Sequence, residues 1–371
     1  MSKGIGKDHC FYKPTSMIKY SIGIDISKSD FHACLSTIDL GQHVKVTRSG
    51  KFANTKAGFA EFVKWVKASC SLKELQVSIV MEATGVYYEN CALFLFLHGH
   101  SISVVLPNKS KKYIAAIGIK TKNDKADAKA LSRMGAEQAL DKWQPMGEFF
   151  YKLRSFTRHG QALKEMETAV GNQIEAAGHC MYENKAVIRS LKKMAALLEA
   201  QVKENLKAIS GHIASNEEIA GRVANITAIK GVGELTVAVI LAETNGFELF
   251  KNISQLVSYA GYDVIENQSG THTGKTKISK KGNSRIRRAL HMPALNMVTW
   301  DIKIFRDLYD RTLEKHGIKM KSYVAIQKKL LCLIYTLWKK NELFNPDHPS
   351  ANTISDEEAD VSLSGSFAEA E

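Results

Sequence analysis

Between Pro145 and Pro293 the chain contains no proline, and Leu153, Phe156, Leu163, Met166, Val170, Ile174, Leu191, Met194 and Leu198 return at roughly helical intervals. Proline removes a backbone donor and clashes with the preceding turn, so its absence permits long uninterrupted helices. The spacing predicts long helices from Tyr151 to about Ser210, a helical linker or coiled coil within residues 149–220. Gly171 and Gly178 weaken one continuous rod, and "CMYENK" reads as a turn between two arms. With 371 residues and 44% apolar content, the chain also has material for a sizeable core, and its length suggests two or three domains.

The N-terminal part has a different texture. From Tyr20 to about Asn54 the runs "YSIGIDIS", "FHACLSTI" and "HVKVTRSGKF" follow one another across short turn-prone pieces, which predicts an antiparallel meander of three strands. Phe59, Phe62, Val63 and Val66 then lie at helical spacing, and the apolar run "VSIVMEA" follows as a strand. "YYENCALFLFLHGH" reads as a second helix, "SISVVLP" as a fifth strand, and "NKSKKYIAAIG" and "IKTKNDKADAKAL" as helices. The predicted order is βββαβαβα with one helix more, an α/β domain over residues 18–148. From Ile226 short helices alternate with glycine turns, so residues 221–341 are expected to form a mostly helical domain. The acidic segment 342–371, with few large apolar residues, is expected to be disordered.

The formal net charge is +13, although the last segment, "SDEEADVSLSGSFAEAE", carries six acidic and no basic residues. The cationic excess therefore belongs to the body of the chain and points to a polyanionic partner. No membrane span is expected, because the longest apolar run, "CALFLFL", has seven residues. The opening "MSKGIGKDHCFYKP" lacks the apolar stretch of a secretory signal, and a cytoplasmic protein is expected. Cys10, Cys34, Cys70, Cys91, Cys180 and Cys332 stand far apart with no C-x-x-C pair, which favours reduced, mostly buried thiols over a zinc site.

Four acids are placed to meet. Asp25 sits on the first strand in "GIDIS", and Glu82 ends the fourth, where a strand opens into a loop. If "DKADAKAL" is helical, Asp124 and Asp127 lie one turn apart on one face, separated by about 4.5 Å of rise. Taken singly, Asp25 reads equally well as a strand-end residue, Glu82 as a surface acid, and Asp124 as a helix N-cap with Asp127 favouring the dipole. Together the four fall where one sheet edge would gather them. Clustered carboxylates raise one another's pKa unless a cation is present. Hard divalent ions bound through oxygen suit such a site, and two Mg2+ about 4 Å apart can activate an attacking oxygen and stabilise a leaving oxygen at a phosphodiester.

"GIDISK", "MEATGVYYE" and "IKTKNDKADAKAL" resemble the Piv-type DEDD transposases, the insertion-sequence recombinases of the "one-ten" family. The resemblance extends through "IKGVGELTVAVILAE" and "NQSGTHTGKTKISKKGNSRIRRAL", covering roughly residues 20 to 300. It implies an RNase H/RuvC-like N-terminal domain, joined by helices to a transposase domain that carries a nucleophilic serine. Matched by position, the DEDD set falls on Asp25, Glu82, Asp124 and Asp127, and the serine on Ser269. After Ser269 this chain reads "GTHTGKTK", where many relatives have an extra serine and a tighter glycine pair, and Ser279 in "ISKKGN" is the rival serine. The implied cofactor is Mg2+, with Mn2+ as a substitute. DNA is the implied partner, joined in some family members by a structured noncoding guide RNA. A homodimer or homotetramer associated with the bacterial nucleoid follows from the same resemblance.

Two segments of the C-terminal part read as a nucleic-acid grip. "IKGVGELTVAVIL" fits one hairpin of a helix-hairpin-helix, with Lys230, Gly231 and Gly233 at the turn and helix-start amides free to face a phosphate. An ordinary turn between packed helices is the competing reading. Between Lys275 and Arg288 stand seven cations, Lys275, Lys277, Lys280, Lys281, Arg285, Arg287 and Arg288. Ser269, Gly270 and Gly274 are small enough to let a phosphodiester approach. The three arginines are expected to clamp it; His272 is placed to be a local base, but an isolated loop histidine is more often incidental or a phosphate donor. Serine is a weak nucleophile unless it is activated, and the four acids offer that help. The two halves are expected to build one composite site, assembled between subunits that the helical middle holds together. A metal-dependent nuclease using water and a non-catalytic nucleic-acid-binding protein are the competing functions.

Overall fold

The first strand is covered on both faces, and each face meets a different layer. In β1 (Met17–Ile26), Tyr20, Ile22, Ile24 and Ile26 enter one apolar core, while Ser21, Gly23 and Asp25 occupy the opposite face. The computed structural model describes residues 17–70, 72, 75–119, 123–265, 268–269, 272–273 and 277–345. Cys10 and the acidic segment from 346 onward lie outside the described residues.

After β1 come β2 (Asp30–Asp39), β3 (Val44–Ala53), α1 (Lys56–Ser69), β4 (Val77–Glu82), α2 (Glu89–Leu97), β5 (Ser101–Val105), α3 (Pro107–Ala116) and α4 (Asp124–Glu137). The sheet order is β3-β2-β1-β4-β5. The first three strands form the antiparallel meander that their short connections dictate, and β4 and β5 add in parallel through helical crossovers. This is the RNase H/RuvC-like arrangement expected from the sequence. Under one face, Phe31, Phe52, Phe62 and Trp65 pack as an aromatic cluster with α1. Full burial of a ring such as Phe62 stabilises the fold by about 1.5–3 kcal/mol. The other face carries α4, whose Leu131 and Met134 meet Val80 and Val105.

The chain divides into two compact units, 1–145 and 146–371. The second opens with the predicted long helices, α5 (Glu148–Gly178) and α6 (Lys185–Ala214), and residues 179–184 form the turn between them. Helix α5 runs straight through Gly171 and stops at Gly178. Asn205 of α6 donates to the Phe156 carbonyl of α5 at 3.2 Å. Leu153, Ile209 and Ile213 join the same core as Val237, Leu241, Phe247 and Leu330, so these helices and the C-terminal ones share an interior.

That interior is built from α7 (Glu217–Thr227), α8 (Glu234–Thr244), α9 (Ile253–Ala260), α10 (Ser284–Ala289), α11 (His291–Thr299), α12 (Lys303–His316) and α13 (Lys319–Lys340). Between α9 and α10 four two-residue strands nest as a hairpin. The outer pair is β6 (Val264–Ile265) with β9 (Lys277–Ile278), and the inner pair is β7 (Gln268–Ser269) with β8 (His272–Thr273). The described cysteines are all free thiols, with Cys34, Cys91 and Cys332 buried. Among the described residues no helix is long and apolar enough to cross a membrane.

Candidate active site

Helix α4 approaches the sheet closely because two glycines let it. A Cβ at Gly23 would collide with the Ala128 carbonyl and the Ser132 amide, and one at Gly135 would collide with Val80 and Ser21. A buried hydroxyl contact, Ser36 Oγ to Ser132 Oγ at 2.7 Å, fixes the helix against β2. Asp25 lies two residues beyond Gly23 on the same face of β1, and so emerges beside the first turn of α4.

The neighbouring strand delivers the second acid. Ile24 pairs with Met81 in the parallel β1–β4 ladder, and Asp25 and Glu82 each follow one residue later at the carboxyl ends of their strands. Two hydroxyls orient Glu82: Ser110 donates to Oε2 at 2.6 Å and Thr84 to Oε1 at 3.2 Å.

Asn123 is the N-cap of α4, its side chain accepting from the Ala126 amide at 2.8 Å. Capping is therefore not the task of Asp124. Both Asp124 and Asp127 stand in the first turn, where the helix dipole favours negative charge.

The four acids share one electrostatic neighbourhood. Burial pushes the Asp25 carboxyl up to about 6, and the charges of Asp124, Asp127 and Glu82 add to that rise. Among the described residues, no three His, Cys, Asp or Glu side chains are close enough to hold a metal ion as a closed set. The donor set nevertheless fits a hard divalent cation: it is all oxygen, it is anionic, and its members raise the cost of ionising Asp25.

His32 escaped sequence reasoning. It pairs with Asp25 across the β1–β2 ladder, and its Nδ1 lies 3.7 Å from Asp124 Oδ2. The signal was its place in "DFHACLST", on the strand that must pair with the one bearing Asp25. Thr84 and Ser110 were missed as well, since hydroxyls that orient a carboxylate leave no spacing pattern.

In the second unit, Lys230, Gly231 and Gly233 occupy the turn between α7 and α8. Gly231 takes a φ of +97° against the Trp300 ring, where Lys230 Nζ also lies 5.5 Å from the ring centroid. Gly233 is the N-cap of α8 and is exposed, without a side-chain cap.

Ser269 belongs to the inner hairpin pair, opposite His272. Gly270, Gly274 and Lys275 lie outside the described residues. Ser279 Oγ accepts from the Lys281 amide at 3.2 Å, holding the turn in which Lys280 adopts a φ of +52°. Lys277, Lys280 and Lys281 are exposed.

The arginines have separate roles in the fold. Arg287 donates to the carbonyls of Ala260 at 2.6 Å and Lys280 at 3.3 Å, which ties α10 to the end of α9 and to the turn after the hairpin. Arg288 forms an exposed ion pair with Glu165 at 2.6 Å, where solvent screens the attraction. Arg285 faces a buried carboxylate, its Nε 3.9 Å from Glu243 Oε1.

Glu243 is the centre of a network the sequence did not reveal. Arg158 grips it through two bonds of 2.8 and 2.9 Å, and Asn283 donates to Oε2 at 2.7 Å. Burial opposes its charge, but the hydrogen bonds from Arg158 and Asn283 and the nearby arginine charges outweigh that and hold its pKa below the usual range. Asn283 also caps α10 by accepting from the Arg285 and Ile286 amides.

Comparisons with known proteins cover both units. A sequence model of the DEDD IS110 type, described as Transposase, matches residues 22–177, and the model of the Transposase IS116/IS110/IS902 family matches residues 223–310. The pilin gene-inverting proteins of Moraxella lacunata and Moraxella bovis are each 28% identical over 331 residues, spanning 89% of this chain and 98% of theirs. Among solved structures, Thermus thermophilus RuvC matches with 11% identity, and T. thermophilus RuvC in complex with a Holliday junction substrate with 10%. Each covers 33% of this chain and 99% of the other at a TM-score of 0.27, so the fold reading rests on the strand order.

Proposed function

The chain belongs to the IS110-type family of DEDD transposases and recombinases, and from that premise we propose that it cuts and exchanges DNA strands using Asp25, Glu82, Asp124 and Asp127 as a divalent-metal site and Ser269 as nucleophile. The observation that carries the reading is the convergence on Asp25, whose carboxyl is raised by burial and by the other three acids. Mg2+ is the expected ion, with Mn2+ as substitute. When bound, it would neutralise these carboxylates and polarise the phosphate oxygens.

The protein's own groups do the rest. Ser110 and Thr84 hold the Glu82 carboxylate, and the first turn of α4 presents Asp124 and Asp127. Ser269 Oγ gives up its proton and attacks phosphorus, the bond from phosphorus to one strand's oxygen breaks, and that departing oxygen takes up a proton as a hydroxyl. The phosphoserine link conserves the ester, so attack by the hydroxyl of a new strand restores the serine without ATP. Lys230, the amides at Gly233, and Lys277, Lys280, Lys281 and Arg288 are the proposed phosphate contacts, the α7–α8 turn acting as a helix-hairpin-helix. A log-log salt slope of about −3 is expected if half of the seven cations from Lys275 to Arg288 reach phosphates.

Oligomerisation through the long helices completes the proposal. On α6, Val187, Met194 and Leu197 are exposed at heptad-like spacing, a seam suited to a second copy of the chain.

Trapping tests the mechanism. The full chain is incubated with Mg2+ and plasmid carrying its own element ends, then denatured. A protein-DNA adduct that disappears in Ser269→Ala, with DNA binding retained, supports the serine. Nicked ends without an adduct make water the nucleophile and overturn that part. Sequencing the nucleic acid that copurifies with the protein identifies a guide RNA where one is bound.

A further inference from the structure

Beside the carboxylates, on the opposite flank of α4, lies a cationic cleft with no part in the chemistry above. It has a volume of about 300 Å3, the lower end for ligand sites. Cys34 lies on its floor, Thr47, Arg48 and Ser49 come from the edge strand β3, and Lys125 and Lys129 come from α4.

Its shape follows from a register shift. Leu35 pairs with Arg48 but Ser36 pairs with Val46, so Thr47 is an inserted residue and β3 bulges there. The bulge breaks the alternation of the strand and leaves Thr47, Arg48 and Ser49 all exposed. Lys125 and Lys129, one helical turn apart, are exposed too. The described lining has three cations, two hydroxyls and no acid; Arg48 donates to Ser69 of α1 at 3.4 Å, which leaves Lys125 and Lys129 as the cations of the α4 flank. It also holds no aromatic ring for stacking a base and no amide or carboxylate to read a base edge. Burial pushes the Cys34 thiol up, against opposing effects of Ser132, Lys129 and Lys125, so the floor carries no negative charge.

We propose that this cleft is a sequence-independent seat for a phosphodiester backbone, held by Lys125 and Lys129 with the Thr47 and Ser49 hydroxyls and leading a nucleic-acid strand along α4 toward Asp124. The strand's destination rests on the reading of the four acids as the reaction centre. Occupancy of the cleft does not.

The test measures binding of the full chain to single-stranded DNA, duplex DNA and single-stranded RNA of equal length, in chelator and across a salt series. Lys125→Gln with Lys129→Gln removes two cations from the cleft, and Lys64→Gln with Lys67→Gln removes two exposed lysines from α1 as a charge-matched control. The cleft pair is expected to weaken binding about tenfold and to flatten the single-strand log-log slope by about 1.4, while the control pair changes little. Lys125→Arg with Lys129→Arg, which keeps both charges, is expected to keep binding at the wild-type level. A loss confined to the DNA arms assigns the seat to DNA, and one confined to RNA assigns it to a bound RNA. Equal losses in cleft and control pairs, or no loss on any polymer, overturn the proposal. Since no cleavage occurs in chelator, failure of the serine or metal reading leaves this result unaffected, and the reverse holds.

Discussion

Gly23 of β1 lies directly beneath Ala128 of α4, so close that a Cβ would overlap the Ala128 carbonyl oxygen. The side chain that is missing there is what lets the helix carry Asp124 and Asp127 down to the level of Asp25. Gly23→Ala is therefore expected to force α4 outward and destabilise the N-terminal unit by about 1–3 kcal/mol. Urea melts measure the loss. An unchanged midpoint would mean that the helix is not seated on β1 in this way.

Asp25 gives a pH prediction with a definite sign. Its carboxyl is raised from the ordinary 3.8 to about 6 in the fold, so the folded state holds the proton longer than the unfolded chain does. Without metal, stability is full below the ordinary value and falls as pH rises through about 6. Asp25→Asn removes that loss and is expected to raise the metal-free stability at pH 7.5 by on the order of 1 kcal/mol, after allowance for partial solvent exposure. The same variant should lose most of the thermal stabilisation that Mg2+ gives the wild type. Thermal melts with chelator and with Mg2+ separate the two effects. A variant that is less stable in chelator would contradict the crowding of charge at Asp25.

The contrast between the two units explains what the sequence could reveal. Alternation in "YSIGIDIS" and "FHACLSTI" announced the meander, and an acid at each strand end followed from the same period. Asp124 and Asp127 were legible because helix periodicity is local. His32 was not, since its nearness to Asp124 depends on strand pairing and helix docking together. Glu243 was invisible for the same reason: inside "LAETNGF" nothing announces that Arg158 and Asn283, far away in sequence, will meet it. The role of Arg287 in bonding two carbonyls could not be told from a phosphate contact, because an arginine in a basic run looks the same in either case.

The Glu243 network predicts an acid-sensitive second unit. Burial disfavours its charge, yet the bonds from Arg158 and Asn283 hold the pKa below the ordinary 4.5. Its stabilisation is present above that ordinary value and disappears as pH falls through the lowered one. Glu243→Gln should flatten this acid limb, and Glu243→Ala, which removes the acceptor of the Arg158 and Asn283 bonds, should cost about 1–3 kcal/mol. Unfolding of the full chain followed between pH 2 and pH 7 reads both. Equal acid profiles for wild type and Glu243→Gln would remove the carboxylate from the account.

Met194 and Leu197 test the proposed seam on α6. Both are exposed, at 49% and 62%, toward the N-terminal end of α6, whose C-terminal half packs against α5 through Asn205. If a second copy of the chain covers them, Met194→Glu with Leu197→Glu buries two unpaired charges in the joint. The variant is then expected to run as a monomer by light scattering at concentrations where the wild type associates, while its melting temperature stays within a few degrees because neither side chain enters the intramolecular core. DNA binding by each monomer should persist and strand exchange should stop, since exchanging strands requires more than one catalytic chain. An oligomer that survives both charges would place the joint elsewhere on the molecule.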